Sequence, residues 1–303
     1  MNKSNNVKIR VPATTANMGA GFDCIGAALS LYNHFEFTLA EKTSFIISGK
    51  EGENIELGED NLLYQSFLKF YAEMGQPAPS VEVKIEVGVP LARGLGSSAT
   101  AIVGGLLGAN YFSAHPLTSE ELMELAIAIE GHPDNVIPAF LGNCILSVQG
   151  KQGWQFVPIT CHPDISFVLA IPDFELATEK ARAVLPSSLT YSQAVYNIAH
   201  MGLLIKALET GNETWLREAL GDEIHQPFRR SLIKGYDDIE KAVLAEGAYG
   251  MVISGAGPTL LTLCHHSLTS QVSQVIEATW TQLGVKPQVK PLSIEVEGAV
   301  ILD

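Results

Sequence analysis

The chain has 303 residues, 47% of them apolar and 17% charged, which is enough apolar material for one large or two fused cores and excludes intrinsic disorder. Its 19 basic and 33 acidic residues leave a formal net charge of −14, which excludes a dedicated nucleic-acid binder and a polybasic membrane surface, so an anionic ligand must be held by a local field against the global one. Cys24, Cys144, Cys161 and Cys264 lie far apart with no Cys-x-x-Cys, which indicates neither a zinc ribbon nor a disulfide framework but a reduced, cytoplasmic chain.

Met1 to Pro12 is polar and then alternating, with no apolar run of the kind a secretory leader needs. Val7–Val11 and Asn33–Ala40 alternate as half-buried strands do, and Ser44–Ser48 reads as a third strand. Asn61–Met74 has helical spacing (Leu62, Leu63, Phe67, Phe70, Tyr71) and stops at Gly75. In Ser80–Val89 the apolar Val81, Val83, Ile85, Val87 and Val89 alternate with Glu82, Lys84 and Glu86, the pattern of an antiparallel sheet with one wet face. Gly94–Ala114 carries no charge and is about long enough to span a bilayer, but its five glycines and its Ser, Thr and Asn residues suit a loop entering a core helix at about Ser97–Phe112. A capping box, Thr118 with Glu121, opens a helix that Gly131 closes. Asn143–Val148 and Gln155–Ile159 pair as strands, Ser166–Ile171 begins a second strand-and-helix set, and Tyr191–Glu209 and Ser267–Leu283 are long helices. Between those helices, short strands at Met251–Ser254 and Leu260–Cys264 flank Gly255-Ala256-Gly257-Pro258. The boundary falls near residue 160, giving two α+β units, 1–160 and 161–303, in close contact.

Chemistry concentrates first in Pro90-Leu91-Ala92-Arg93-Gly94-Leu95-Gly96-Ser97-Ser98-Ala99. A strand, a loop with two close glycines and a helix start follow one another. Backbone N–H groups free to turn toward a ligand, joined by the unpaired ones of the helix's first turn, form an anion site that the dipole reinforces. Phosphate is the natural guest. Gly94-x-Gly96-x-x-Ala99 also satisfies the dinucleotide fingerprint, but the preceding strand alternates and the region about 20 residues on, where an acidic strand end belongs, is the helix start at Thr118.

Three motifs in order resemble those of the GHMP kinases, the family of galactokinase, homoserine kinase, mevalonate kinase and phosphomevalonate kinase. They are Pro12-Ala13-Thr14-Thr15-Ala16-Asn17-Met18-Gly19-Ala20-Gly21-Phe22-Asp23, Pro90 to Ala99, and Gly255-Ala256-Gly257-Pro258-Thr259. The resemblance spans about residues 7 to 303 and is closest to the homoserine kinase branch, through Glu130-Gly131-His132-Pro133-Asp134-Asn135-Val136, the run from Thr178 through Ala181-Arg182 to Leu185-Pro186, and His225-Gln226-Pro227-Phe228-Arg229. Lys234, where that branch usually has Pro, and Met18 and Ala20, where Leu and Pro are commoner, are departures that touch no residue expected to do chemistry.

What the resemblance implies is an α+β fold of two domains, an N-terminal half like domain 2 of ribosomal protein S5 and a ferredoxin-like C-terminal half. It implies ATP-dependent phosphorylation of the L-homoserine hydroxyl, a step toward threonine, by a cytoplasmic homodimer that uses Mg²⁺. ATP is expected on Asn61 and on Pro90, Leu91, Ala92, Arg93, Gly94, Leu95, Gly96, Ser97, Ser98, Ala99 and Thr100, with a third glycine loop at Gly255, Ala256 and Gly257. Substrate is expected on Asn17, Asp23, His132, Asn135, Thr178, Arg182 and Arg229. Ser98, Glu130 and Asn135 make up the catalytic group, with Ser98 and Glu130 as metal ligands.

The residue chemistry agrees. A hydroxyl at a helix start and a carboxylate at a helix end can share Mg²⁺ with phosphates and water, and a negative charge at a helix C-terminus wants a cation. Arg182 and Arg229 suit a bidentate grip on an α-carboxylate, and Asp23 suits the α-ammonium. Other members of the family place an aspartate where Asn135 stands, and an amide cannot take a proton. Asp134 is the nearby carboxylate. It follows Pro133 in a helix's first turn, where the dipole and backbone N–H groups make it structural rather than a base. The rival readings are a kinase for mevalonate, shikimate or a sugar, a silent nucleotide-binding regulator, and an NAD oxidoreductase.

Overall fold

A computed structural model describes residues 4–49 and 58–302. The first sheet is built from β1 (Asn6–Ala16), β2 (Ile25–Leu39), β3 (Ser44–Ser48) and β4 (Val81–Glu86), with the hairpin β5 (Cys144–Gly150) and β6 (Gly153–Ile159) attached to the start of β2. β4 pairs antiparallel with β2 and parallel with the edge strand β3, so the strand before the glycine loop lies in a mixed, mostly antiparallel sheet rather than a doubly wound parallel one. Four helices cover it: α1 (Leu62–Glu73), α2 (Ser97–Phe112), α3 (Ser119–Glu130) and α4 (Pro133–Leu141). Val7, Ile9, Phe35, Phe37, Val83 and Ile85 pack against Phe67, Phe70, Ile102 and Leu106 to form this unit's core.

The second half runs β7 (Ile165–Ile171), the helices α5 (Thr178–Ala183), α6 (Tyr191–Thr210), α7 (Glu213–Ala219), α8 (Gln226–Arg229) and α9 (Tyr236–Ala245), then β8 (Gly250–Ile253), β9 (Leu260–His265), α10 (Thr269–Gln282) and β10 (Gln288–Leu292). Its sheet order, β10-β7-β9-β8 with all pairs antiparallel, is the 4-1-3-2 order of a split βαβ arrangement, as expected for a ferredoxin-like unit. One face of this sheet meets α9 and α10 through Val168, Met251, Ile276 and Trp280. The other joins α6 and the first sheet, where Ala13, Met18, Ile25 and Leu29 share a single core with Phe167, Leu204, Leu208 and Leu261. A register shift at Pro12/Ala13 bends β1 between the two cores.

The C-terminal stretch does not stay in its own half. β11 (Val300–Leu302) returns to pair with β1 through Lys8–Leu302 and Arg10–Val300, and Leu29 bridges Ile294, so residues 293–302 belong to the first sheet. Strand lengths also differ from the sequence expectation. β1 and β2 extend well beyond Val7–Val11 and Asn33–Ala40, because Pro12–Ala16 and Ile25–Leu29 are buried on both faces, where alternation carries no signal. No helix among the described residues is long and apolar enough to cross a membrane.

Candidate active site

The site begins with two glycines in left-handed backbone. Gly94 (φ 72) and Gly96 (φ 65) open the loop into α2, and a Cβ on them would lie 2.2 Å from the Ser254 carbonyl oxygen and 1.9 Å from Thr14 Oγ1. Glycine is required here by contact with the protein's own third loop and first strand as well as by ligand access. The Gly96 N-cap offers no side chain to the first turn of α2, which holds no acidic residue, so its N–H groups stay available to an anion. Arg93 secures the loop from outside, donating from Nε to the Pro172 carbonyl (3.1 Å) and from Nη1 to that of Leu91 (3.0 Å).

Loops one and three interlock beneath it. Asn17, itself at φ 72, donates from Nδ2 to the Gly255 carbonyl (2.8 Å) and accepts the Asp23 N–H at Oδ1 (3.0 Å). Its amide therefore braces the loops from inside the cavity, a role beyond the substrate contact expected of it. Ser254 Oγ reaches Thr15 Oγ1 (2.8 Å) and the Gly94 carbonyl (2.7 Å).

Ser98 donates to Glu130 Oε1 at 2.7 Å, joining the start of α2 to the end of α3. Burial pushes the Glu130 carboxyl above its ordinary value, and the Ser98 hydrogen bond opposes that shift. Two adjacent oxygens, one on a carboxylate left beside a helix C-terminus, suit neighbouring positions on a hard, octahedral cation.

Across the cavity, Arg182 Nη2 and Nη1 bind Asp23 Oδ1 and Oδ2 at 2.9 and 3.2 Å. The two residues expected to take opposite ends of a zwitterion thus hold each other. Arg229 is 2% exposed; Nε donates to the Ala181 carbonyl (3.0 Å) and Nη1 to that of Gly255 (3.1 Å), so its Nε edge is already committed within the protein. Burial, and then the neighbouring Arg182, bring its pKa down to about 10. Phe22 lies under both guanidinium groups, 5.8 Å from Arg182 and 5.2 Å from Arg229, and stacks on the buried His225.

Asp134 sits in the first turn of α4 after Pro133, as expected, but its Oδ1 meets side chains, His132 Nδ1 at 2.6 Å and Asn135 Nδ2 at 3.4 Å, rather than backbone. Burial weighs against the charged His132 ring, and the Asp134 carboxylate outweighs it, raising the His132 pKa. Asn135 is 8% exposed and accepts from Thr14 Oγ1 at 2.8 Å.

A cavity of about 170 Å³ brings together Asn17, Asp23, Ala92, Arg93, Gly94, Leu95, Gly96, Ser97, Ser98, Glu130, His132, Asn135, Thr178, Arg182, Arg229, Gly255 and Ala256, with Asp134 among them. An adjoining cavity of about 350 Å³ shares Ala92, Ser97 and Ser98 with it. Asn61, Leu91, Phe35, Leu63, Ile85 and Val87 line this second space, a mostly apolar slot beside the glycine loop. Asn61 is also the N-cap of α1, accepting the Leu63 N–H. Pro90, Ala99, Thr100 and Gly257 line neither cavity. Thr100 is fully buried and braces the loop, donating to the Ser97 carbonyl and accepting from Asn33, whose Oδ1 takes the N–H groups of Gly88 and Val89. Neither Asn33 nor Thr14 is singled out as a site residue in the sequence, Thr14 although it stands in the first motif, since each sits in a strand and acts on distant partners.

Comparison with known proteins places these features in a family. The pattern "GHMP kinases N terminal domain" matches residues 61–143, and "GHMP kinases C terminal" matches residues 204–282. A homoserine kinase of Crocosphaera subtropica is 54% identical over 297 residues, covering 97% of this chain and 96% of that protein. One of Trichormus variabilis is 53% identical, covering 99% and 100%. The crystal structure of homoserine kinase from Cytophaga hutchinsonii superposes with a TM-score of 0.88 at 26% identity, covering 100% and 99% of the two chains.

Proposed function

The chain belongs to the GHMP kinase family, and from that membership we propose that it transfers the γ-phosphoryl group of ATP to the side-chain hydroxyl of L-homoserine, giving O-phospho-L-homoserine on the way to threonine. The observation that carries the acceptor is the cluster of Arg229, Arg182 and Asp23 facing the Ser98–Glu130 pair across one cavity. Two cations and one anion match the carboxylate and ammonium of an amino acid, whereas an acceptor lacking an ammonium group has no use for Asp23.

The α2 N-terminus and the loop from Ala92 to Ser97 would cradle the phosphates, and the apolar slot at Asn61 would take the adenine. Ser98 and Glu130 would hold Mg²⁺, which when bound neutralises charge on the phosphates. In the transfer, the oxygen–phosphorus bond to homoserine forms as the bridging bond to ADP breaks. With Asp134 Oδ1 taken by His132 and Asn135 an amide, the hydroxyl proton passes in this reading to the transferred phosphoryl group. Positioning and electrostatics supply the acceleration.

A homodimer completes this reading. Tyr191, Val195 and Ile198 are 93%, 63% and 73% exposed along one face of α6. A two-fold axis between Val195 and Ile198 would set each against the other and lay Tyr191 over Gly202, where a Cβ would meet nothing within 4 Å. Ile198→Glu should then convert dimer to monomer in sedimentation. Four unpaired cysteines support a reducing, cytoplasmic setting. The activity is tested by ADP release with L-homoserine, mevalonate, shikimate and galactose in parallel. Turnover on any of the last three, with none on homoserine, overturns the acceptor.

A further inference from the structure

We infer that Thr14 is a positioning residue for the transfer: its buried hydroxyl fixes the Asn135 side-chain amide in one orientation and seats that amide against the phosphate loop. The inference rests on the phosphotransfer reading of this cavity.

Thr14 is fully buried in β1, 121 residues before Asn135 in the chain, and donates from Oγ1 to Asn135 Oδ1 at 2.8 Å. A terminal amide can point either way, and its partners choose. On the other side, Asn135 Nδ2 faces Asp134 Oδ1 at 3.4 Å, and a carboxylate can only accept. Asp134 in turn meets His132 Nδ1 at 2.6 Å. The donors and acceptors run consistently along this network: His132 and Asn135 Nδ2 donate to Asp134, and Thr14 donates to Asn135 Oδ1. With its oxygen occupied, Asn135 presents N–H, not a lone pair, to the electron-rich acceptor and phosphoryl oxygens. The long Asp134 contact alone would hold it loosely, and the short bond from Thr14 supplies the tight end.

The same hydroxyl touches the phosphate loop. Thr14 N–H donates to the Leu95 carbonyl (3.0 Å), and a Cβ on Gly96 would fall 1.9 Å from Thr14 Oγ1 and 3.2 Å from Asn135 Oδ1. One buried hydroxyl is therefore the junction between the loop that would hold the nucleotide and the amide that faces the acceptor. Misplacing one relative to the other by about 1 Å is enough to cost roughly 100-fold in rate.

The test is steady-state kinetics of Thr14→Val, Thr14→Ser, Asn135→Ala and the double variant Thr14→Val/Asn135→Ala, each checked for an intact thermal transition. Thr14→Val should lower kcat by about 10- to 100-fold while both KM values stay within about threefold, and Thr14→Ser, which keeps the hydroxyl, should restore kcat to within about threefold. Because Thr14 acts through Asn135, the double variant should be no slower than Asn135→Ala alone. A kcat for Thr14→Val within about twofold of the parent, or multiplying effects in the double variant, overturns the inference. The parent's activity on homoserine is the separate check of the acceptor; if another acceptor is the active one, the same series is run on it. Free of any acceptor, the Asn135 side-chain amide resonances, identified by their loss in Asn135→Ala, should move in Thr14→Val and stay put in Thr14→Ser. No movement in Thr14→Val overturns the inference as well.

Discussion

Asp23 and Arg182 satisfy each other through two bonds, 2.9 and 3.2 Å, in the cavity where each is expected to meet the opposite end of an amino acid. The pair is about one-third exposed, so solvent screens it and opening it costs little, whereas Arg229 behind it is 2% exposed and fixed by two carbonyls. Losing one partner of a desolvated charge pair costs about 2–5 kcal/mol. Arg229→Ala should therefore raise the homoserine KM by at least about 30-fold and Arg182→Ala by about tenfold, with the ATP KM little changed in either. A homoserine KM within about threefold of the parent would remove that arginine from the substrate grip.

Glu130→Gln keeps the shape and the contact to Ser98 but removes the charge that offsets a cation. We expect kcat to fall steeply and raised Mg²⁺ to restore part of it. Full activity at low Mg²⁺ would place the metal elsewhere.

Burial raises the Glu130 carboxyl in the folded chain, so its protonated form contributes stability below the unfolded value, and that contribution is lost as pH rises through the folded one. Mg²⁺ requires the ionised form. Its affinity should climb with pH through the raised value, and binding there should release a proton, visible by calorimetry in buffers of different ionisation enthalpy. Glu130→Gln should abolish the proton release.

His132 behaves in the same sense for a different reason. Its folded pKa is raised because Asp134 outweighs burial, so the pair's stabilisation is complete below the unfolded value near 6.5 and fades as pH rises through the folded one. Asp134→Asn should lower the His132 midpoint in an NMR titration, lower the melting temperature and displace Asn135. It should leave the acidic limb of the rate profile in place. Loss of that limb, with fold and both affinities intact, would make Asp134 the base.

Gly96→Ala introduces a Cβ 1.9 Å from Thr14 Oγ1 at a backbone φ of 65°. Strain of this kind costs on the order of 1–3 kcal/mol before the clash is counted. A lower melting temperature together with lost nucleotide affinity is the expected result.

Features written in contiguous residues were legible: the glycine loop with its hydroxyls, the Thr118–Glu121 capping box, and α2 within its apolar stretch. What escaped was written across the chain. The Thr14–Asn135 bond joins residues 121 apart and the Arg182–Asp23 bonds residues 159 apart, and nothing local marks either. α5 and α7 escaped because they are too short for their periodicity to register. Asp134 was placed in the right turn, but its partner follows from the rotamer of a neighbouring ring, which no spacing rule encodes.

The return of β11 to β1 sets a clock on the molecule's assembly. Chain synthesis delivers β1, β2 and β4 early, with the phosphate loop already attached to them, yet one side of β1 stays without its neighbour until Val300–Leu302 has been made. During that interval β1 is an open edge able to recruit a foreign strand. Removal of Val300–Leu302 should favour aggregation over loss of nucleotide binding.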